Sequence, residues 1–218
     1  MKRTQKLSWL FAFVLFFGNS SLAFSQTLKD VFTNSETPLL YLGVDFTKAK
    51  LINYPDPKVM DIRDRIYTAI NDLTVNEPKK FDLAGAFHKS TISNDLSAVK
   101  KRNEKINTED IASTNISDFS RLKESDISAV AKALDLSGKT GIGLLFVMEA
   151  MRKEDKKGDA AMWVTLVDMK TKTVLLTERI EAKATGIGFR NYWASTIKEV
   201  IDEVDKKKFK EWKKKFGS

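Results

Sequence analysis

Apolar positions along this chain change their period several times, and each change predicts an element. Leu39-Leu40-Tyr41-Leu42-Gly43-Val44-Asp45-Phe46 is a nearly continuous apolar run that follows Pro38 and closes near an acid, which predicts a buried strand. Tyr54-Pro55-Asp56-Pro57 then forces a turn. Beyond it Val59, Ile62, Ile66, Ile70 and Leu73 recur at helical spacing, with Asp61, Arg63, Asp64 and Arg65 on the opposite side. That is an amphipathic helix of about four or five turns. Phe81, Leu83 and Phe87 share one face if 81–87 is extended, which predicts a second strand interrupted by Gly85.

Residues 89–122 are polar and rich in Ser, Thr, Asn and Lys, with Leu96, Val99 and Ile106 as a weak helical stripe and 113–120 as loop. Such a stretch is either an inserted surface helix or a mobile segment. Ser125 is the expected N-cap of the next helix, whose stripe is Ile127, Val130, Ala131 and Leu134 and which ends near Gly138. Three strands come after it, at 141–151, 160–168 and 173–184. The short link Asp168-Met169-Lys170-Thr171-Lys172 makes the last two an antiparallel hairpin.

In the third of these strands Val174, Leu176, Ile180 and Ala182 alternate with Leu175, Thr177, Arg179 and Glu181, the pattern of a sheet with one covered and one wet face. Gly186-Ile187-Gly188 ends it. From Tyr192, the residues Trp193, Ile197, Val200, Ile201 and Val204 mark a long amphipathic helix that covers the sheet. The order predicts an α/β (α+β) fold: a mixed, partly antiparallel sheet of about five strands with helices packed on it.

The N-terminus has another pattern. Lys2, Arg3 and Lys6 precede an apolar run over 7–17, and small polar residues break it at 18–21. This is the layout of a signal peptide, and the run is shorter than the roughly 20 residues a membrane-spanning helix needs. Ala23 and Ser25 are the small residues expected three and one before a cut, which assigns 1–25 to the signal and 26–218 to one exported domain, with a cut after Gln26 as the alternative. The chain has no cysteine, so neither a lipidated cysteine nor a disulfide is available. A mature chain of 193 of the 218 residues is long enough to bury about 70% of its unfolded surface without a staple. The protein is therefore expected in the periplasm or outside the cell, not anchored through a lipidated cysteine.

The formal net charge of +8 falls to +5 once the three signal-peptide cations are gone. Lys206, Lys207, Lys208, Lys210, Lys213, Lys214 and Lys215, against Asp205 and Glu211, hold all of that excess in a basic tail at 205–218. The rest of the mature chain is balanced, which argues against a broad nucleic-acid-binding face. Phe209, Trp212 and Phe216 recur at helical spacing among the lysines. A basic helix with an aromatic stripe suits an anionic membrane surface. Equally, the rings can continue the apolar seam of the helix while the lysines solvate it, although four residues beyond Val204 lies Lys208, so the stripe shifts register there. These ten residues, with Phe209, Trp212 and Phe216 among them, are the candidate contacts for lipid or a partner.

No catalytic, cofactor or metal motif survives inspection. Ser137-Gly138-Lys139-Thr140 resembles the end of a phosphate loop, but Ala133 stands where the first glycine belongs and the order is helix to strand. Gly141-Ile142-Gly143 and Gly186-Ile187-Gly188 each lack the third glycine of a dinucleotide fingerprint. His88 is the only histidine, no Gly-x-Ser-x-Gly elbow is present, and His88 reads as a surface residue at a strand end. Acids are numerous, which leaves an acid-residue hydrolase as an alternative, while Asp45 and Asp168 read as strand-end and turn residues.

The helix Ile127-Ser128-Ala129-Val130-Ala131-Lys132-Ala133-Leu134, the hairpin Val164-Thr165-Leu166-Val167-Asp168-Met169-Lys170-Thr171-Lys172-Thr173-Val174, Gly186-Ile187-Gly188 and the final helix together carry a resemblance. The segment resembles the α/β domain shared by the TolB amino-terminal region, the curli-secretion lipoproteins and the outer-membrane activators of penicillin-binding proteins. Leu42-Gly43-Val44-Asp45-Phe46 with its following helix is similar to the first strand and helix of that domain. Those families often have glycine where Lys172 stands, because a left-handed backbone there costs a side-chain-bearing residue about 1 kcal/mol; a different turn would relieve this. The resemblance implies a non-enzymatic envelope component that binds a protein partner, with no small-molecule cofactor. The sheet edge and 89–122 are then the expected surfaces.

Overall fold

The computed structural model describes residues 27–54, 58–154 and 157–218. The export signal over 1–25 and the Pro55-Asp56-Pro57 turn lie outside them. The first elements are α1 (Leu28–Thr33), β1 (Leu39–Asp45), β2 (Lys50–Ile52), α2 (Val59–Asp61), a π-helical segment (Ile62–Ile66), α3 (Tyr67–Asn76) and α4 (Leu83–Ala86). The polar stretch holds β3 (Ser93–Asn94), α5 (Ser97–Asn103), β4 (Ala112–Ser113) and 3-10 turns at Thr108–Asp110 and Ile116–Ser120. Then come α6 (Glu124–Ala133), β5 (Ile142–Glu154), β6 (Lys157–Asp168), β7 (Thr173–Ala184), α7 (Phe189–Glu203), a second π-helical segment (Val204–Lys208) and α8 (Phe209–Phe216).

Strand β5 organises the sheet. Along one edge it pairs in parallel with β1 over 142–147 and with β2 over 150–152, and β3 and β4 extend those two outward. Its other edge pairs antiparallel with β6, which pairs antiparallel with β7. The seven strands thus fill about five positions across a mixed sheet. Being central and covered on both faces, β5 has no reason to alternate. Leu144, Phe146 and Met148 join a core with α3 and α7, while Leu145 and Val147 join a second core with α5 and α6.

The break between β1 and β2 is made by polar side chains inside the fold. Gly43, at φ 99, sits where the β1–β5 register shifts, and a Cβ there would lie 2.8 Å from Asn71 Oδ1. Asn71 accepts from Val44 N at 2.7 Å, and Asn103 accepts from Phe46 N at 2.8 Å and donates to Val44 O at 3.0 Å. Both asparagines are fully buried, so they complete a backbone ladder that no strand reaches there.

Several expectations are corrected. Residues 81–87 are not a strand: Asp82 Oδ1 accepts from Gly85 N at 2.8 Å and caps α4, while Phe81 and Phe87 stay buried. Local capping by an aspartate outweighs an alternation of three aromatic and aliphatic residues. Ser125 is not a cap; α6 starts at Glu124, and Asp126 Oδ2 accepts from Lys123 N at 2.8 Å. Helix α7 begins at Phe189, ahead of Tyr192, because Gly188 at φ 80 turns the chain into it. In β7 a register shift opposite Leu166/Val167 leaves Leu175 as an extra residue. Val174 therefore packs with the α6 core, while Leu176, Ile180 and Ala182 pack with the α7 core.

The 89–122 stretch is tied at both ends. Lys89 is buried, and its Nζ donates to Val31 O and to Asn34 O at 2.6 Å, where α1 ends. Burial holds this ammonium down at about 8. At the far end Phe119 is buried against Ile52, Ala150 and Ala161.

Candidate functional site

Among the described residues two carboxylates lie wholly inside the protein, and neither is left with a free oxygen to react. Asp45 accepts from Arg102 Nε at 2.6 Å and from Thr47. Glu149 is the extra residue of a β5 bulge, since Met148 pairs with Met162 and Ala150 with Ala161. Its carboxylate accepts from Arg179 Nε at 2.7 Å, Trp163 Nε1 at 3.1 Å and Leu122 N at 2.7 Å. Arg179 also donates to Phe119 O at 2.7 Å, and its guanidinium stands 5.5 Å from the Phe119 ring centre. Charge, hydrogen bonds and packing together fasten the 116–122 segment to the sheet. A carboxylate saturated in this way is a clamp and not a general base. An acid inside the apolar run 141–151 was the sequence signal for it.

His88 is exposed, at a helix end and not a strand end, and its ring stacks 4.1 Å from Phe209. The Ser137-Gly138-Lys139-Thr140 segment is the turn from α6 to β5, and Lys139 pairs with Asp95. Among the described residues no group of three or more His, Cys, Asp or Glu could hold a metal ion. No helix among them is long and apolar enough to cross a membrane.

The ten tail residues separate onto two faces. Phe209 and Trp212 are buried and Phe216 is half-buried; all three rings pack around Phe32. Trp212 Nε1 donates to Glu178 Oε2 at 2.5 Å, and Lys208 Nζ reaches Glu178 Oε1 at 2.5 Å, which holds that ammonium above its ordinary value. The rings are thus turned inward, away from any membrane surface. Phe209 N donates to Val204 O, so the π turn adds one residue and puts Phe209 where Lys208 would stand on an ordinary helix. That is the cause of the register shift visible in the sequence. Lys206, Lys207, Lys210, Lys213, Lys214 and Lys215 are exposed. Of these, Lys206 and Lys207 lie 3.8 Å from Asp202 and Glu203.

The opposite edge of the sheet is open. Among the described residues β7 pairs with β6 alone, over its whole length. Two grooves run beside it. One of about 350 Å³ lies between α6 and α8, lined by 174–178, Glu124, Trp212 and Phe216. Another of about 410 Å³ is lined by Glu181, Thr185, Ser195, Lys198, Asp202 and Lys206. A third cavity of about 380 Å³ lies between the start of α7 and the first π segment, lined by Tyr54, Ile62, Ile66 and Phe189, with Lys58, Arg65 and Arg190. Of its cations Arg65 is taken by Asp61 at 2.7 Å.

No family model and no curated protein matches this chain. Among solved structures it is similar to the PelC dodecamer from Paraburkholderia phytofirmans, at 10% identity and a TM-score of 0.33, over 78% of this chain and 86% of that one. It is also similar to the hypothetical protein CT253 from Chlamydia trachomatis (10% identity, TM-score 0.39, 78% of this chain and 93% of that one). A third is lipoprotein GNA1162 from Neisseria meningitidis (10% identity, TM-score 0.32, 77% and 97%). At these TM-scores the likenesses carry no weight for what this chain does, and they do not confirm the TolB, curli-secretion or activator families.

Proposed function

We propose that this protein is an exported, non-enzymatic binding component of the bacterial envelope that engages another polypeptide by strand addition at the free edge of β7. The observation that carries the reading is a twelve-residue strand paired, among the described residues, on one side only, with a groove along each half. Unpaired backbone N–H and C=O groups on such an edge are ready to bond an extended segment, and the grooves offer room for its alternate side chains. The clamped carboxylates Asp45 and Glu149 favour this reading over the acid-residue hydrolase. A photoreactive residue placed at Lys183, on the edge, tests it against one placed at Lys213 on the tail. Capture of one envelope protein from Lys183 in living cells is expected; capture from Lys213 alone contradicts it.

A second reading has its own support: the outward lysines of the tail face solvent on the side away from the rings. Each lysine near an anionic bilayer contributes about 1 kcal/mol. On this reading the tail is a purely electrostatic contact with no inserted ring. Co-sedimentation with phosphatidylglycerol vesicles that disappears in moderate salt supports it, and salt-resistant binding or none sinks it.

A further inference from the structure

The cavity of about 380 Å³ at the start of α7 lies apart from the strand edge, and it combines apolar walls with a cationic rim. Ile62 and Ile66 on its lining are buried, and the half-buried rings of Tyr54 and Phe189 meet edge to face with centres 5.1 Å apart. Both rings are held in place. Trp193 packs against them at 6.4 and 6.2 Å, and Lys153 Nζ lies 5.0 Å from the centre of the Tyr54 ring. Trp193 is itself wholly buried, and its Nε1 has no hydrogen-bond partner. The room is thus preformed and of the size small organic ligands occupy.

The rim carries cations that the fold does not use. Asp61 is the one carboxylate on the lining, and both of its oxygens accept from Arg65, each at 2.7 Å. Among the described residues this leaves Arg190 and Lys58 without an acid: Arg190 Nε donates to the neutral Asn191 Oδ1 at 3.1 Å, and Lys58 forms no ion pair. Helix α7 starts at Gly188 with no capping side chain and no acid in its first turn, so its backbone N–H groups add donors to the same rim. Outside the rim the surface is apolar again. Gly186 at φ 101 and Gly188 at φ 80 hold Ile187 between them, 91% exposed, and Met60, next to the lining residue Asp61, is 59% exposed. Among the described residues only Ile116 is a further large apolar side chain so exposed, and two of these three therefore flank one cavity. We propose that this cavity binds an anionic amphiphile, a phosphate or carboxylate head on an apolar chain. The head meets Arg190 and Lys58, the chain lies against Tyr54, Phe189 and Ile66, and Ile187 covers what extends beyond the cavity.

The mature protein is titrated with decyl phosphate below its micelle concentration, beside inorganic phosphate and the neutral decyl glucoside, and followed by tryptophan fluorescence, to which Trp193 contributes. Arg190→Glu reverses a charge on the exposed rim, and Lys213→Glu makes the same change on the tail as a control; thermal melts confirm that both are folded. Saturable binding of decyl phosphate is expected, weakened about tenfold or more by Arg190→Glu and unchanged by Lys213→Glu. Inorganic phosphate and decyl glucoside are expected to bind at least about tenfold more weakly than decyl phosphate. Absence of saturable binding overturns the proposal, as do equal affinity for decyl glucoside, indifference to Arg190→Glu or an equal loss in Lys213→Glu. Phosphatidylglycerol vesicles separate two sources of the head. Vesicle binding lost in Ile187→Asp assigns it to bilayer lipid, and decyl phosphate binding without vesicle binding assigns it to a free amphiphile. Capture of a protein from Lys183 is independent of either result, so strand addition and this site stand or fall separately.

Discussion

Lys172 turns the β6–β7 hairpin at φ 58, the left-handed backbone that a glycine adopts freely. Its Nζ donates to Leu134 O at 2.6 Å, a bond glycine cannot make. Lys172→Ala keeps the strain and loses the bond, whereas Lys172→Gly loses the bond and relieves the strain. The glycine variant is expected to be the more stable of the two by about 1 kcal/mol, read from urea midpoints at equal slope. Asp95 accepts from Lys139 and, at 3.0 Å, from Ser97 N, and these partners lower its carboxyl from 3.8 to about 2. A folded-state value below the unfolded one stabilises above the unfolded value. That contribution is lost as pH falls from 3.8 to about 2. Asp95→Asn is expected to flatten acid unfolding in that window, modestly because the pair is partly exposed. The left-handed turn at Lys172 was suggested only by the resemblance, whose families often have glycine there. The buried asparagines Asn71 and Asn103 were not, because their partners on β1 lie 27 and 59 positions away along the chain.

Elements were legible wherever burial repeats with one period. Strands β5, β6 and β7 and the helices over 59–76, 124–133 and 189–203 stand close to where the pattern put them. It misled where a cap decided, as at α4, and where the backbone gained a residue at Leu175; the first π segment left Ile62, Ile66 and Ile70 buried on the predicted face, and the second is the register shift seen between Val204 and Phe209. Each gain rotates the residues after it, so periodicity alone cannot carry through. The π segment at Val204–Lys208 gives a sharp test. Deleting Lys206 removes the extra residue and keeps Phe209 and Trp212 on the core, so the melting temperature is expected to stay within a few degrees of wild type, about 1 kcal/mol. Deleting Glu199 instead rotates Val200, Ile201 and Val204 by about 100° against Trp193 and Ile197 and is expected to abolish folding. Removal of 205–218 strips two buried aromatic residues from around Phe32. Their loss costs roughly 3–5 kcal/mol each. Circular dichroism is expected to show an unfolded or strongly destabilised chain, and a native melt would show that the tail is dispensable.

At the scale of the whole molecule, the mixed sheet with helices on it comes from the order of periods along the chain, and its open edge comes from pairing that no period states. Which strand ends the sheet depends on β1 and β2 sharing one edge of β5 while β6 takes the other. The only sequence trace of this was the short link that made β6 and β7 a hairpin, with a helical pattern from Tyr192 onward. The edge is also where the charges of Glu178, Arg179, Glu181 and Lys183 gather. Charged residues on an edge strand discourage indiscriminate pairing and leave selective pairing possible. The most direct measurement is amide hydrogen exchange along β7, compared between dilute mature protein in buffer and the same protein in native envelope extract. Slower exchange confined to 173–184 in the extract, with 206–216 unchanged, is the predicted result. Unaltered exchange along β7, or protection at 206–216 instead, would contradict the edge as the binding surface.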